Sequence, residues 1–406
     1  MPLEIPLEII GEITVQLSKS RRALRSLALV SRAFLDPCQR HLFSVLRLCL
    51  PVSQESHDLS TVTPFSTVRL RDIFNHHPHL AGYVKSLFLS TSNSSNTGST
   101  DGLFDYPSVF TDIVNFLASS PIHTITLEGP EDPPPFHWNR LPLGVERAMY
   151  RLFANPSVAT LRMVYVIIPK TFFQAFGGLK VLVLIEVGWL KEDGSDSGFQ
   201  GVTERVQKLK SIDLAPGRLG SSEDCLDLSA MTPERGLDLT AVEHAVWYTR
   251  DSVQAPFSLS PLNPANLKSF KLGVSNGMNG QPLDLSLFRR LSYLSITYLA
   301  DMFDPLWIAE AIQSLPSNHH VRSLVLKFTN ANDVPIDLFS SFELLRPALS
   351  QLHSASDSVK ISLKIDLYDV LGNLEGLEAV KVKDYVFERV KWDGCEAVLQ
   401  VHVSQY

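Results

Sequence analysis

A six-residue phrase, aliphatic-x-x-aliphatic-x-aliphatic, returns eight times along this chain and constrains its fold more than any other feature. It first appears as Val84-Lys-Ser-Leu87-Phe-Leu89 and then as Ile122-His-Thr-Ile125-Thr-Leu127. Val158-Ala-Thr-Leu161-Arg-Met163 and Leu179-Lys-Val-Leu182-Val-Leu184 follow. Later copies are Leu209-Lys-Ser-Ile212-Asp-Leu214, Leu267-Lys-Ser-Phe270-Lys-Leu272, Leu291-Ser-Tyr-Leu294-Ser-Ile296 and Val321-Arg-Ser-Leu324-Val-Leu326. The last two apolar positions alternate with their neighbours, which is the period of a strand with one buried face. Between copies, helical patterns are expected over Ser108–Ala118, Thr171–Phe176, Pro305–Ser314 and Asp337–Leu352. Strands alternating with helices predict an α/β chain with a parallel sheet.

The phrase resembles the strand of a leucine-rich repeat, in which one strand per repeat stacks into a curved parallel sheet. The resemblance implies an irregular leucine-rich-repeat solenoid over residues 81–355. Copies lie from about 20 to over 50 residues apart. The family's turn asparagine falls one position late at Asn93, Asn276 and Asn330, and other copies lack it. An ordinary α/β domain with buried parallel strands is the alternative, since such strands also read as apolar. Beyond the last copy, Val359 to Leu367 alternates strictly. Val386–Val390 and Val398–Val403 are expected to pair with it as a β-rich cap over residues 356–406. Four Gly-, Ser-, Pro- or Asp-rich stretches (Ser90–Gly102, Gly129–Trp138, Lys191–Gly201 and Ala215–Gly236) read as loops along one rim.

A different pattern fills the first 43 residues. Ile9, Ile10, Ile13 and Leu17 recur at helical spacing, with Pro6 at the start and Glu8 and Glu12 near the positive end of the helix dipole. Ser20 is a good N-cap for a second helix. Along that helix Leu24, Leu27, Val30 and Phe34 step by three or four beside Arg21, Arg22, Arg25 and Arg32. Asp36-Pro37 is expected to end it, because the residue before proline is pushed out of the α region. A short helical turn is expected from Gln39 to Phe43. About 40 residues rarely bury a core unaided, so these helices need a partner or the body of the chain.

The order Ile5-Pro-Leu-Glu8-Ile-Ile10, Ile13, Leu17, Leu24, Leu27, Leu29-Val-Ser-Arg32 and Phe34 resembles an F-box. That module docks substrate receptors onto the Skp adaptor of cullin-RING ubiquitin ligases. The chain departs from the family at Ile5, where Leu is usual, and at Phe34, where Trp is commoner; both keep an apolar anchor. The resemblance implies an F-box module at 1–48 and a connecting segment at 49–80. It implies adaptor contacts from Pro6, Ile9, Ile13, Leu17, Leu24, Leu27, Val30 and Phe34. The implied function is that of a substrate-recognition subunit of a Skp-cullin-F-box E3 ubiquitin ligase, which performs no chemistry itself and takes no cofactor. The alternatives are a repeat scaffold or binding module without a ligase role, or helices that merely cap the larger domain.

Composition bounds the partners. The net charge is −7, with residues 1–48 at +3 (seven Lys/Arg, four Asp/Glu) and the remainder at −10, which argues against a general nucleic-acid binder. Cys38, Cys49, Cys225 and Cys395 form no paired spacing and fit reduced thiols of cytoplasm or nucleus. No signal peptide or membrane span is expected. His76-His-Pro-His79 and His319-His320 lack companion ligands at metal-site spacing. Gly273-Val-Ser275-Asn-Gly277 has the letters of a Gly-x-Ser-x-Gly elbow but reads as a turn, and Gly273 to Gly280 lacks the Lys-Ser/Thr ending of a phosphate loop.

If the phrases are strands, alternate residues share the open face of the sheet. Those are Ser86 and Phe88, Thr124 and Thr126, Val181 and Val183, Ser211 and Asp213, Ser269 and Lys271, Tyr293 and Ser295, and Ser323 and Val325. A face so small and weakly polar favours a protein or peptide over a phosphate-rich ligand, which would call for arginines. Phe88, Thr126, Val183, Lys271 and Tyr293 are the candidate substrate contacts, with the two aromatics as anchors.

Overall fold

All twenty-four apolar positions of the eight phrases are at most 3 % exposed, and each phrase forms a strand beginning two residues after its first aliphatic. These strands come from a computed structural model that describes residues 5–51, 65–91, 106–130, 134–190, 206–215, 231–249, 261–275, 283–299, 305–330, 343–355, 359–369 and 398–405. The chain divides into two compact units at Gln207/Lys208, with Thr232–Leu237 belonging to the first.

The first unit opens with three helices, α1 (Leu7–Gln16), α2 (Arg21–Val30) and α3 (Arg32–Leu42). Pro6 stands at the N-cap of α1, and the Ser20 hydroxyl caps α2 by accepting from the Ala23 N–H at 3.3 Å. The second helix stops earlier than the sequence predicts. Ser31 is extended (φ −155°, ψ 148°), and its hydroxyl accepts from Ala33 N–H, so the chain starts a fresh helix there. Pro37 then lies inside α3 rather than ending a helix. Ser31 caps the new helix, which tolerates Pro37 in its second turn at the cost of one backbone hydrogen bond.

After the helices come β1 (Val45–Cys49), α4 (Phe65–His76), β2 (Ser86–Ser90), α5 (Tyr106–Leu117), β3 (Thr124–Glu128), β4 (Phe136–His137) and α6 (Leu143–Phe153). The unit continues with β5 (Thr160–Val164), β6 (Val166–Ile168), β7 (Val181–Ile185) and β8 (Gly188–Trp189). The expected connecting segment 49–80 is therefore partly built structure. Thr171–Phe176 shortens to a single 3-10 turn, Phe172–Ala175. The order β1-β2-β3-β5-β7 follows the chain, every pair is parallel, and the first residues align as Val45, Ser86, Thr124, Thr160 and Val181. Helices α5 and α6 pack on each other and bury Val109, Phe110, Ile113, Val114 and Leu117 with Val145, Met149, Leu152 and Phe153. Trp138, Phe153, Phe172 and Phe176 fill the core beneath them, with Phe153 stacked on Phe176 at 4.7 Å.

Beyond β3, β5 and β7 the chain goes on to β4, β6 and β8, which form a small parallel sheet. Tyr165 (φ 56°) and Glu186 (φ 52°) make two of these connections in the left-handed region. Gly129 occupies the matching place after β3, where a Cβ would lie 2.1 Å from the Tyr165 carbonyl oxygen.

Along the chain β9 (Gln207–Lys208), β10 (Ser211–Ala215), β11 (Leu237–Asp238) and β12 (His244–Thr249) come next. The second unit then contains β13 (Ser269–Ser275), β14 (Tyr293–Leu299), α7 (Pro305–Gln313), β15 (Ser323–Asn330), α8 (Leu345–Ala355), β16 (Lys360–Asp369) and β17 (Val398–Gln405). Again β10-β12-β13-β14-β15-β16-β17 run parallel in chain order. In the expected C-terminal cap the Val398–Val403 strand does pair with the Val359–Leu367 strand, as β17 with β16, but β16 also pairs parallel to β15, so the two continue this sheet. Val386–Val390, residues 337–342, Asn93, Asn276 and most of three of the rim loops lie outside the described residues. The fourth, Gly129–Trp138, is no rim loop at its end, where it forms β4 and buries Phe136 and Trp138.

Two main strands escaped the sequence pattern. Strand β1 follows Phe43-Ser-Val-Leu46-Arg-Leu48, and β12 follows Val242-Glu-His-Ala245-Val-Trp247. Each is the same phrase with an aromatic residue or alanine where an aliphatic was required. The architecture is mixed α/β around parallel sheet, as the alternation of strand and helix predicts.

Candidate functional site

Two surfaces collect the residues singled out by the sequence. In the helical trio, Ile10, Leu24, Phe34 and Cys38 form the core, with Ile13, Leu17, Leu27, Ala28 and Leu42 packed against it. Leu24 is 1 % exposed and Phe34 7 %, so these two expected adaptor contacts are internal. Pro6, Ile9 and Val30 are exposed, the last two at 51 % and 73 %. The structure adds Ile5, Leu7, Val15, Leu29 and Leu35, which leave large apolar side chains in solvent, Leu29 at 88 %. Burial also raises the Cys38 thiol above its ordinary pKa, so it is a packing residue.

Three contacts fix the trio to the body of the first unit. The Tyr83 hydroxyl donates to the Asp36 carboxylate, which pairs with Arg40 at 2.9 Å, and the Arg40 guanidinium lies 5.5 Å from the Tyr83 ring centroid. That carboxylate contact is the main reason the Tyr83 phenol is raised. Arg21 Nη2 donates to the Val45 carbonyl of β1 at 3.3 Å.

The second surface is the open face of the main strands. Phe88, Thr126 and Val183 fall in one register row of the first unit, completed by Arg47 on β1 and Arg162 on β5. The Arg47 guanidinium lies over the Phe88 ring at 4.8 Å. The sequence reading therefore missed two arginines on a face it described as weakly polar. Arg47 was hidden with β1, whereas Arg162 holds the place in its phrase that Phe88 holds in its own, and that equivalence could have placed it.

In the second unit Lys271 and Tyr293 sit on adjacent strands, with the Lys271 Nζ 5.8 Å from the Tyr293 ring centroid. The Tyr248 ring covers Gly273, where a Cβ would meet it at 2.1 Å, so the missing side chain makes room for an aromatic on the face. Lys268 pairs with Glu243 at 2.8 Å at the start of these strands and holds that carboxyl below its usual range. Ser295 is buried on this face, which makes it a floor rather than a contact.

His77 and His79 meet edge to face at 6.0 Å. Among the described residues no group of three or more His, Cys, Asp or Glu is placed to hold a metal, and no helix is long and apolar enough to cross a membrane. Comparison of the chain with protein-family models, with curated proteins and with solved structures gave no match.

Proposed function

We propose that this chain is a substrate-recognition subunit of a Skp-cullin-F-box ubiquitin ligase. The N-terminal helices dock on the Skp adaptor, and through it a cullin, while the repeat body holds a protein target. One observation carries the reading: seven of the fifteen large hydrophobic side chains exposed among the described residues lie between Ile5 and Leu35. An apolar surface left in solvent marks an interaction site. Here it sits on a helical trio whose residue order follows the F-box pattern. The docking set becomes Pro6, Ile9 and Val30 with Leu7, Leu29 and Leu35, while Leu24 and Phe34 hold the trio together.

Strands that follow one another in chain order at constant register support a repeat solenoid for the body. The contribution of such a receptor is effective concentration. It holds the target beside the ligase's conjugating enzyme and needs no reactive group of its own. This reading places the chain in the cytoplasm or nucleus.

Co-expression with the Skp adaptor tests the proposal. The full chain is expected to co-purify stoichiometrically, and Leu29→Asp with Val30→Asp to abolish this without moving the thermal midpoint, since both side chains are in solvent. A folded wild-type chain that leaves the adaptor behind overturns the ligase role.

A further inference from the structure

We infer that the open face of β1-β2-β3-β5-β7 binds an acidic peptide segment of a protein partner, held by Arg47 and Arg162 across Phe88 and Thr126. This names the class of target for the receptor proposed above, and its place in a ligase rests on that reading.

The register sets Arg47, Phe88, Thr126, Arg162 and Val183 side by side. Arg162 is exposed and makes no hydrogen bond or ion pair among the described residues; Arg47 is exposed and stacked on Phe88. Stacking uses the face of a guanidinium and leaves its N–H edge for an oxygen acceptor. Arg162 has Thr126 and Val183 beside it in its own row, Thr124, Thr160 and Val181 in the open-face row before it, and Glu128, Val164 and Ile185 in the row after it. The short side chains in its own row and in the row before it leave the guanidinium open on that side to the bidentate approach of a carboxylate.

The start of the same strands adds Lys85 and Lys180, both exposed. Both precede their strands on the alternation opposite to the open face, whose own charges, Arg47 and Arg162 against Glu128, give it +1 in a chain of net −7. Glu128 lies one row farther along β3 and forms no ion pair with either arginine among the described residues.

Arg47 and Arg162 are three strand spacings apart, about 14 Å at roughly 4.8 Å per strand. An extended peptide laid across the strands covers that distance in about four residues. Acidic residues at i and i+4 then point to the same side and meet the two guanidiniums, with residue i+2 over Phe88 and Thr126. The acidic chain as a whole repels a long polyanion, whereas a short acidic segment feels chiefly the local basic face. That, with Phe88 and Val183 as apolar contacts, favours protein over nucleic acid.

The test pans the full chain against a random-sequence peptide library and measures the enriched peptides by fluorescence anisotropy. Enrichment of Asp and Glu at i and i+4 is expected. Arg47→Ala or Arg162→Ala should weaken binding about tenfold or more, as for loss of a charge-assisted hydrogen bond, with Arg162→Lys intermediate and the thermal midpoints unchanged. Neutral or basic consensus peptides, no enrichment, acidic binding that ignores both arginines, or preferential binding of a single-stranded RNA oligonucleotide each overturn the inference. Adaptor co-purification is measured on the same proteins. Peptide binding without adaptor binding removes only the ligase role, and adaptor binding without peptide binding removes only this inference.

Discussion

Asn155 does more local work than its place in a turn advertises. Its amide donates to the carbonyls of Ala118 at 2.9 Å and Ser120 at 2.7 Å, and its oxygen accepts from Ser157 N–H at 2.9 Å. It joins the end of α5 to the approach of β5. Asn155→Ala leaves part-buried carbonyls without partners and is expected to cost about 1–3 kcal/mol. Asn155→Asp should cost more, because a carboxylate would face two carbonyl oxygens; chemical denaturation orders the three proteins. His319 supplies a pH dependence. Burial first, and neighbouring His320 second, hold its pKa below the ordinary 6.5, against a weaker opposing effect of the Leu352 carbonyl. Above the unfolded value the imidazole is neutral in both states, and its contribution is fully present. As pH falls below 6.5 the unfolded chain takes up a proton that the folded chain resists, so stability drops until the folded pKa is passed. The thermal midpoint of His319→Gln should therefore fall less than wild type between neutral pH and about pH 5. Parallel curves for the two proteins would refute the assignment. Neither role was readable from sequence, because each depends on groups brought in from other segments.

At the scale of the element, the N-terminal trio separates two kinds of apolar residue that one helical pattern presents alike. Leu24→Ala should cost about 2–5 kcal/mol through the cavity it leaves. Leu29→Ala, on the same helix, should change stability by no more than about 0.5 kcal/mol. If the two melt alike, the packing described for the trio is wrong. Pro37 gives the opposite sign: placed within α3, it forfeits a backbone hydrogen bond, so Pro37→Ala should stabilise the chain by about 1–3 kcal/mol. The sequence located these helices but joined α2 to α3 past Ser31, since the steps from Leu24 to Phe34 continue smoothly in register. A serine that caps rather than extends is decided by one dihedral pair, which periodicity does not report.

For the whole molecule, the first unit ends its sheet at β1, an edge whose Val45 carbonyl is held by Arg21 of the trio. An exposed edge strand offers unpaired backbone to another chain. A protein starting at Phe43 should therefore self-associate on size-exclusion chromatography, where the full chain runs as a smaller species. Equal elution of the two would show that the helices do not protect the edge. The sequence by itself determined where most main strands lie, because three buried aliphatics at fixed spacing are a local requirement of one buried face. It missed β1 and β12 where Phe43, Ala245 and Trp247 meet that requirement with other shapes. Only the tertiary structure decided what stands beside what. Arg47 and Arg162 are more than a hundred residues apart in the chain and reach one row through strand register. Register is a relation between strands, set by hydrogen bonds that no single segment contains. In the same way, periodicity marked the apolar residues of the trio, and packing alone chose which became core and which were left facing water.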